Sequence, residues 1–470
     1  MKSIAITLLI SFSILSTAHQ QNVRQFHQLL AEQIKTIPDD FRVITENQHI
    51  TRGLPQETAH TLFMVYMAAD NNLHYFAWNN IKQMASIGSN KNLKIVVQLN
   101  EPGNNKKTQR YLIEKNKAIL LNEKDINAGK KLNTGDPQTL IDFCTDTIKK
   151  FPAQHIVLSL WDHGSGCLDP LKAKTANLQE LFQLNPSDMM LELNRDCEFI
   201  NRIDTGDCRG ICFDETYNSY LSNQKLDYAL KTICTKTQRK FDIIGLDACM
   251  MQMVEFGTLL QPYTTYMVGS QEVELGAGWN YKYILTPFSQ GVLSPEQLSK
   301  HIVQCYQKTY SRITHDYTLS AANLQLLPGL TKNINETSTL LMDCLNRQQQ
   351  KSVKKTLLTC RSKKFCTCFD EPSYIDLGNF YQNILARVDE FKISGNKNII
   401  QQIKDKLNEG TSLIKKIIID NVKGKNLKRA TGLSIYFPEK RLHHSYAKAP
   451  FATKKWIDLV QLFITKSEAL

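Results

Sequence analysis

From residue 61 onward the chain alternates short unbroken apolar runs with amphipathic stretches. Leu62-Phe63-Met64-Val65-Tyr66-Met67 is the first run, the pattern of a strand buried on both faces of a parallel sheet. Polar turn residues Asp70-Asn71-Asn72 end it, and Leu73 to Ile87 has helical spacing. Leu93 to Leu99 predicts a second buried strand, Asp136 to Phe151 a helix with Pro137 at its start, and His155 to Trp161 a third strand. A long polar stretch from Cys167 to Asp207 predicts a loop. Order returns with strand-like Gly210 to Phe213, helical Gln224 to Thr235, and strands at Phe241 to Leu246 and Tyr266 to Gly269. Beyond Pro295 the pattern is mostly helical, with one late strand at Gly432 to Phe437. Strand–helix alternation of this kind predicts an α/β fold, a central mostly parallel sheet with helices on both faces. The expected organisation is a polar, partly helical leader over 19–60, a main region over 61–292 carrying the loop 167–207, and a largely helical C-terminal extension over 293–470 that completes the same domain.

Composition changes this picture little. The chain has 470 residues, 42% apolar and 22% charged, which excludes collagen-like, fibrous and wholly disordered classes. The net charge of +12 is scattered in short pairs such as Lys354-Lys355 and Lys415-Lys416. No nucleic-acid-binding motif accompanies them, so no nucleic-acid partner is expected. The N-terminus adds more. Lys2, the apolar run Ile4 to Leu15 and the small residues Ser16-Thr17-Ala18 read as an export signal over 1–18, cleaved after Ala18, leaving no stable membrane anchor. The mature chain is therefore expected outside the cytoplasm, periplasmic or extracellular. There most of the 12 cysteines can pair, although spacing does not give the connectivity. Cys366-Thr367-Cys368 lacks the paired spacing of a zinc site, so disulfides or inert thiols are expected and no metal centre.

Two strand ends carry reactive chemistry. The third strand runs into Asp162-His163-Gly164-Ser165-Gly166, and the strand ending at Leu246 runs into Asp247-Ala248-Cys249. Ligands bind at the carboxyl ends of parallel strands, so both tips fall on one rim. A histidine and a cysteine meeting there can form a base and nucleophile pair, the thiolate attacking a carbonyl carbon. On spacing alone, a buried structural cysteine and a turn histidine remain open as readings.

Several motifs then narrow the choice. Tyr66-Met67-Ala68-Ala69-Asp70-Asn71-Asn72-Leu73, Leu160 to Gly166, Cys212-Phe213-Asp214-Glu215-Thr216, Asp247-Ala248-Cys249-Met250-Met251, the segment Gly269 to Trp279 and Gly432 to Pro438 together resemble the clostripain family of cysteine peptidases. They do so collinearly over roughly 60 to 440. The resemblance implies a caspase-like α/β/α sandwich and a cysteine endopeptidase cleaving protein or peptide substrates after Arg or Lys. It implies His163 as the catalytic base, Cys249 as the nucleophile, and Asp247 as the acidic residue of the S1 pocket. The Gly164 and Cys249 N–H groups are expected to face the oxyanion. No cofactor is required for this chemistry, and a calcium requirement and the oligomeric state stay open. Family members are made as precursors and cut between the two catalytic residues; here Lys172, Lys174, Arg195, Arg202 and Arg209 offer basic positions, and Cys167, Cys197, Cys208 and Cys212 could tether the ends. Asp162 is excluded as a third member because neighbours on a strand point to opposite faces. A transpeptidase or ligase using the same acyl-enzyme, or an inactive binding protein on this scaffold, are the alternative readings.

Overall fold

The apolar runs become the inner strands of one ten-stranded sheet. The computed structural model describes residues 40–45, 58–121, 130–168, 182–185, 187–188, 190–195, 210–347, 349–393, 397–446 and 454–465. In chain order the sheet uses β1 (Arg42–Thr45), β2 (Ala59–Ala68), β3 (Leu93–Asn100), β4 (Gln109–Glu114), β5 (Lys117–Leu120), β6 (Ala153–Trp161), β7 (Phe241–Asp247), β8 (Thr264–Gly269), β9 (Thr318–Asn323) and β10 (Ile418–Lys423). Across the sheet they run β1-β5-β4-β3-β2-β6-β7-β8-β9-β10. The middle block β3-β2-β6-β7-β8 is parallel throughout. Antiparallel pairs flank it on both sides, β3–β4 and β4–β5 on one and β8–β9 and β9–β10 on the other.

β2 shows why its sequence is apolar without a break. Leu62, Met64 and Tyr66 enter the core on one face of the sheet, while Phe63, Val65 and Met67 enter the core on the other. Successive side chains on a strand alternate in this way, so a strand covered on both sides has no position left for a polar residue. Helices His74–Ala85 and Pro295–Tyr310 cover the second face. Pro137–Lys150, Asn223–Thr237, Leu327–Leu345, Leu377–Arg387 and Lys397–Ile417 cover the first. Helix Pro137–Lys150 starts where expected because Asp136 accepts a hydrogen bond from the Gln138 N–H (2.9 Å) and Pro137 needs no partner in the first turn.

Four expectations change. First, the C-terminal region, expected to be mostly helical with one late strand, contributes two further strands, β9 and β10, to the sheet. β10 follows helix Lys397–Ile417 directly. No glycine or proline separates them, so the hydrophobic pattern runs on as if the helix continued. Second, Gly432 to Phe437 and Gly210 to Phe213 do form strands, but outside the main sheet. Ser434–Tyr436 pairs with Tyr374–Asp376, and Ile211–Asp214 with Ser219–Leu221, each in a two-stranded ribbon. Third, in the leader, Arg42–Thr45 is an edge strand parallel to β5; the patch around Phe26 to Ile34 and the export segment 1–18 lie outside the described residues. Fourth, of the two expected fates, disulfides or inert thiols, no disulfide joins two cysteines among the described residues. Cys144, Cys212, Cys344, Cys360 and Cys366 are buried and fill the core as small apolar groups. Burial pushes the Cys344 and Cys360 thiols up to about 12. Cys197 and Cys208 lie outside the described residues. No helix among the described residues is long and apolar enough to cross a membrane.

Candidate active site

β6 and β7 are neighbours in register, with Trp161 opposite Asp247. The Asp162 N–H continues the pairing by donating to Asp247 O (3.2 Å). One residue further on, the chains diverge and leave His163 and Cys249 on either side of one small cavity. Gly164 makes this approach feasible. A Cβ at that position would lie 2.6 Å from Cys249 O and 2.9 Å from the Met251 side chain, so the two backbones touch only because a hydrogen replaces the methyl.

His163 is held from the tip of a third parallel strand. Its Nε2 lies 2.7 Å from Asn72 Oδ1, and Asn72 follows β2 in the turn Asp70-Asn71-Asn72. Donation from Nε2–H to that amide oxygen leaves Nδ1 as the basic nitrogen. Burial lowers the imidazole to about 4. Asp162 borders the same cavity, but its carboxylate is bound to other partners. Its Oδ1 accepts from Asn71 Nδ2 (2.7 Å) and its Oδ2 from the Phe213 N–H, which clamps the β2 turn and the ribbon at 211–214 to the rim. Asn72 has no role in the sequence reading. The available signal was its position in a polar turn at the end of a buried strand next to β6.

Cys249 is half-buried, and its sulfur is covered by the backbone of the segment after β8. Sγ accepts a hydrogen bond from the Glu274 N–H (3.3 Å). Burial pushes the thiol up to about 12; the Glu274 N–H works against this, and the nearby carboxylates of Glu274, Asp370 and Glu272 add to it. Met250 follows with φ +58°, a left-handed conformation that is uncommon for a side chain of this kind. The Met250 N–H donates to Glu272 O (3.1 Å) and secures the turn.

Asp247 sits beneath the pair. It is buried, its Oδ1 accepts from the Trp279 N–H (3.1 Å) and its Oδ2 from the Tyr281 hydroxyl (2.7 Å). Desolvation nevertheless raises its carboxyl to about 7, against the two hydrogen bonds that lower it. Glu274 lines the same cavity, which has a volume of about 20 Å³.

The segment between His163 and Cys249 docks nearby. Its ribbon Phe182–Leu184/Leu191–Leu193 bonds residues 313–316, with Leu191 N–H to Ile313 O at 2.7 Å and Leu193 N–H to Asp316 Oδ2 at 3.0 Å. Arg195 Nη2 then reaches Glu272 Oε2 (3.0 Å) and Asp316 Oδ1 (3.2 Å). A basic side chain of this loop is thus anchored on the segment that covers the cysteine.

Comparison with known proteins agrees with this architecture. The model of the clostripain family matches residues 65–179 and 200–463. Among solved structures, an inactive zymogen C11 protease from Parabacteroides distasonis is similar with a TM-score of 0.56 at 17% identity, over 87% of this chain and 99% of that one. A secreted C11 cysteine protease from Bacteroides thetaiotaomicron, in complex with an irreversible peptide inhibitor, gives 0.55 at 18% identity over 86% and 99%. No curated protein matches the chain. At these identities the structures speak for the fold, a caspase-like α/β sandwich, while the family model covers most of the sequence. The chain belongs to the clostripain family and is a cysteine peptidase.

Proposed function

We propose that this peptidase is an exported endopeptidase that cleaves after arginine or lysine, with Cys249 as nucleophile and His163 as base. One observation carries the reading: the register of β6 and β7 brings His163, Cys249 and the buried Asp247 to a single cavity. His163 Nδ1 takes the thiol proton, the sulfur attacks the scissile carbonyl, and the imidazolium then protonates the leaving amine. The N–H groups of Gly164 and Cys249 steady the oxyanion. Water resolves the acyl-enzyme, and neither step draws on a cofactor. Asp247 favours a cationic P1 side chain in a site that excludes water. Export rests on the Lys2 to Ala18 pattern.

The same geometry supports a precursor. With the thiol near 12 and the imidazole near 4, the proton stays on sulfur, and the Glu274 N–H occupies the sulfur that a substrate carbonyl has to reach. Segment 272–278 must move before catalysis, and the loop docked on it through Arg195 is the part to be cut. The test is labelling with an arginyl or lysyl chloromethyl ketone and mapping of the modified residue, beside Cys249→Ala. Label on Cys249 of a two-chain wild type, with a single-chain inactive variant, is expected. Label on another cysteine, or a variant cut identically in the absence of other proteases, would overturn the reading.

A further inference from the structure

The carboxylate expected to receive a basic side chain, Asp247, is already engaged. Both of its oxygens accept hydrogen bonds, from the Trp279 N–H and the Tyr281 hydroxyl. Gly278, at φ +63°, closes over it so tightly that a Cβ there would lie 2.8 Å from Oδ1. Such a group supplies charge, but it has little acceptor capacity left for a new donor.

Glu274 is in the opposite condition. It is only 4% exposed, it lines the same cavity, and both of its carboxylate oxygens are buried without a hydrogen-bond partner. The Trp279 indole N–H is likewise buried without a hydrogen-bond partner; its proximity favours the ionised carboxylate, while burial and the Asp247 charge push the Glu274 carboxyl well above its usual range. Buried polar atoms are almost always satisfied, and a group of unsatisfied ones around one cavity calls for an explanation. An unpartnered carboxylate is among the most costly of them. A ligand that brings several N–H donors and a positive charge would satisfy it, and guanidinium and ammonium both do.

We propose that Glu274 is the second carboxylate of the S1 pocket and the one that hydrogen-bonds the P1 cation, with Asp247, both of whose oxygens are already engaged, behind it. This rests on the reading that the enzyme cleaves after basic residues. Gly276 and Gly278 lie at the C-terminal end of the stretch that has to open. The opening carries Glu274 with it, because its own N–H is the group on the sulfur.

The matured enzyme is assayed on peptides that differ only at P1, arginine against its neutral isostere citrulline, in wild type, Asp247→Asn, Glu274→Gln and Glu274→Asp. Glu274→Gln should lower the Arg/citrulline ratio of kcat/KM by about 30-fold or more, the effect of leaving a buried charge pair incomplete. Glu274→Asp should keep most of the ratio. A wild-type ratio near one would remove the basic-P1 reading and this inference with it. A normal wild-type ratio kept by Glu274→Gln and lost by Asp247→Asn would overturn the inference alone. Should Glu274→Gln fail to fold, a structure of the wild type carrying an arginyl ketone on Cys249 decides. A guanidinium within hydrogen-bond distance of Glu274 supports the assignment, and one bonded only to Asp247 overturns it.

Discussion

Replacing Asn72 by alanine removes the 2.7 Å contact from His163 Nε2 to Asn72 Oδ1. The ring N–H is then left at a largely desolvated site without a partner, at a cost of about 1–3 kcal/mol. At about 1.4 kcal/mol per tenfold, this predicts a fall in kcat/KM of about 5- to 150-fold, expressed mainly in kcat because Asn72 orients the base. Steady-state hydrolysis of an arginyl peptide across pH 4–9 measures it. Asn72→Asp separates orientation from mere packing. A carboxylate beside Nε2 stabilises the imidazolium, raises its pKa from about 4, and moves the acid limb of the profile to higher pH. If Asn72→Ala stays within twofold of wild type, or if Asn72→Asp leaves the acid limb in place, the contact has no part in setting the base.

Three further outcomes follow from the same geometry. Gly164→Ala places a methyl 2.6 Å from Cys249 O; it should lower stability by about 1–3 kcal/mol and slow alkylation of Cys249, and unchanged melting together with unchanged alkylation would show that the tips can separate freely. Arg195→Gln breaks the bonds to Glu272 and Asp316, so loop cleavage on a reducing gel should be faster than in wild type, and an equal rate would mean that the dock does not restrain the loop. Asp247 keeps its proton up to about 7 when folded but loses it near 3.8 when unfolded. Its contribution to stability is therefore fully present below about pH 4 and is lost as pH rises through 7. His163, lowered from 6.5 to about 4, has the opposite sign and loses its contribution as pH falls through that window. Urea melts at pH 5 and 8 should show a smaller drop for Asp247→Asn than for wild type, and parallel curves would refute the burial of that charge.

Where one element determines its own pattern, the sequence was readable. β2 must be apolar on both faces, so its run identified a central parallel strand, and with it the rim on which the tips of β6 and β7 meet. Gly164 and Cys249 were visible for the same reason, as unusual residues directly after buried strands. β10 was not, because Ile418 and Ile419 extend the apolar pattern of the preceding helix and only pairing with β9 makes them a strand. Asn72, Glu274 and Arg195 were beyond local reading in another way. Each matters through a partner 25 to 91 residues distant, and nothing in its own neighbourhood marks that partner. The cysteines left disulfides and inert thiols both open because export bears on whether pairing is allowed, while the core decides whether two sulfurs ever face each other.

The order of the strands divides the molecule in a particular place. β1 to β6 occupy one half of the sheet and β7 to β10 the other, and the single line of hydrogen bonds between β6 and β7 joins them. The chain between Leu168 and Gly210 is part of the connection from β6 to β7. Opened there, the polypeptide would become two subunits, each with its own set of strands, associated through backbone pairing and the shared cores on both faces rather than by any covalent link among the described residues. The histidine would belong to one subunit and the cysteine to the other. Docking of the subunits and assembly of the dyad would then be one event, and a dilution-dependent loss of activity would report the strength of the seam.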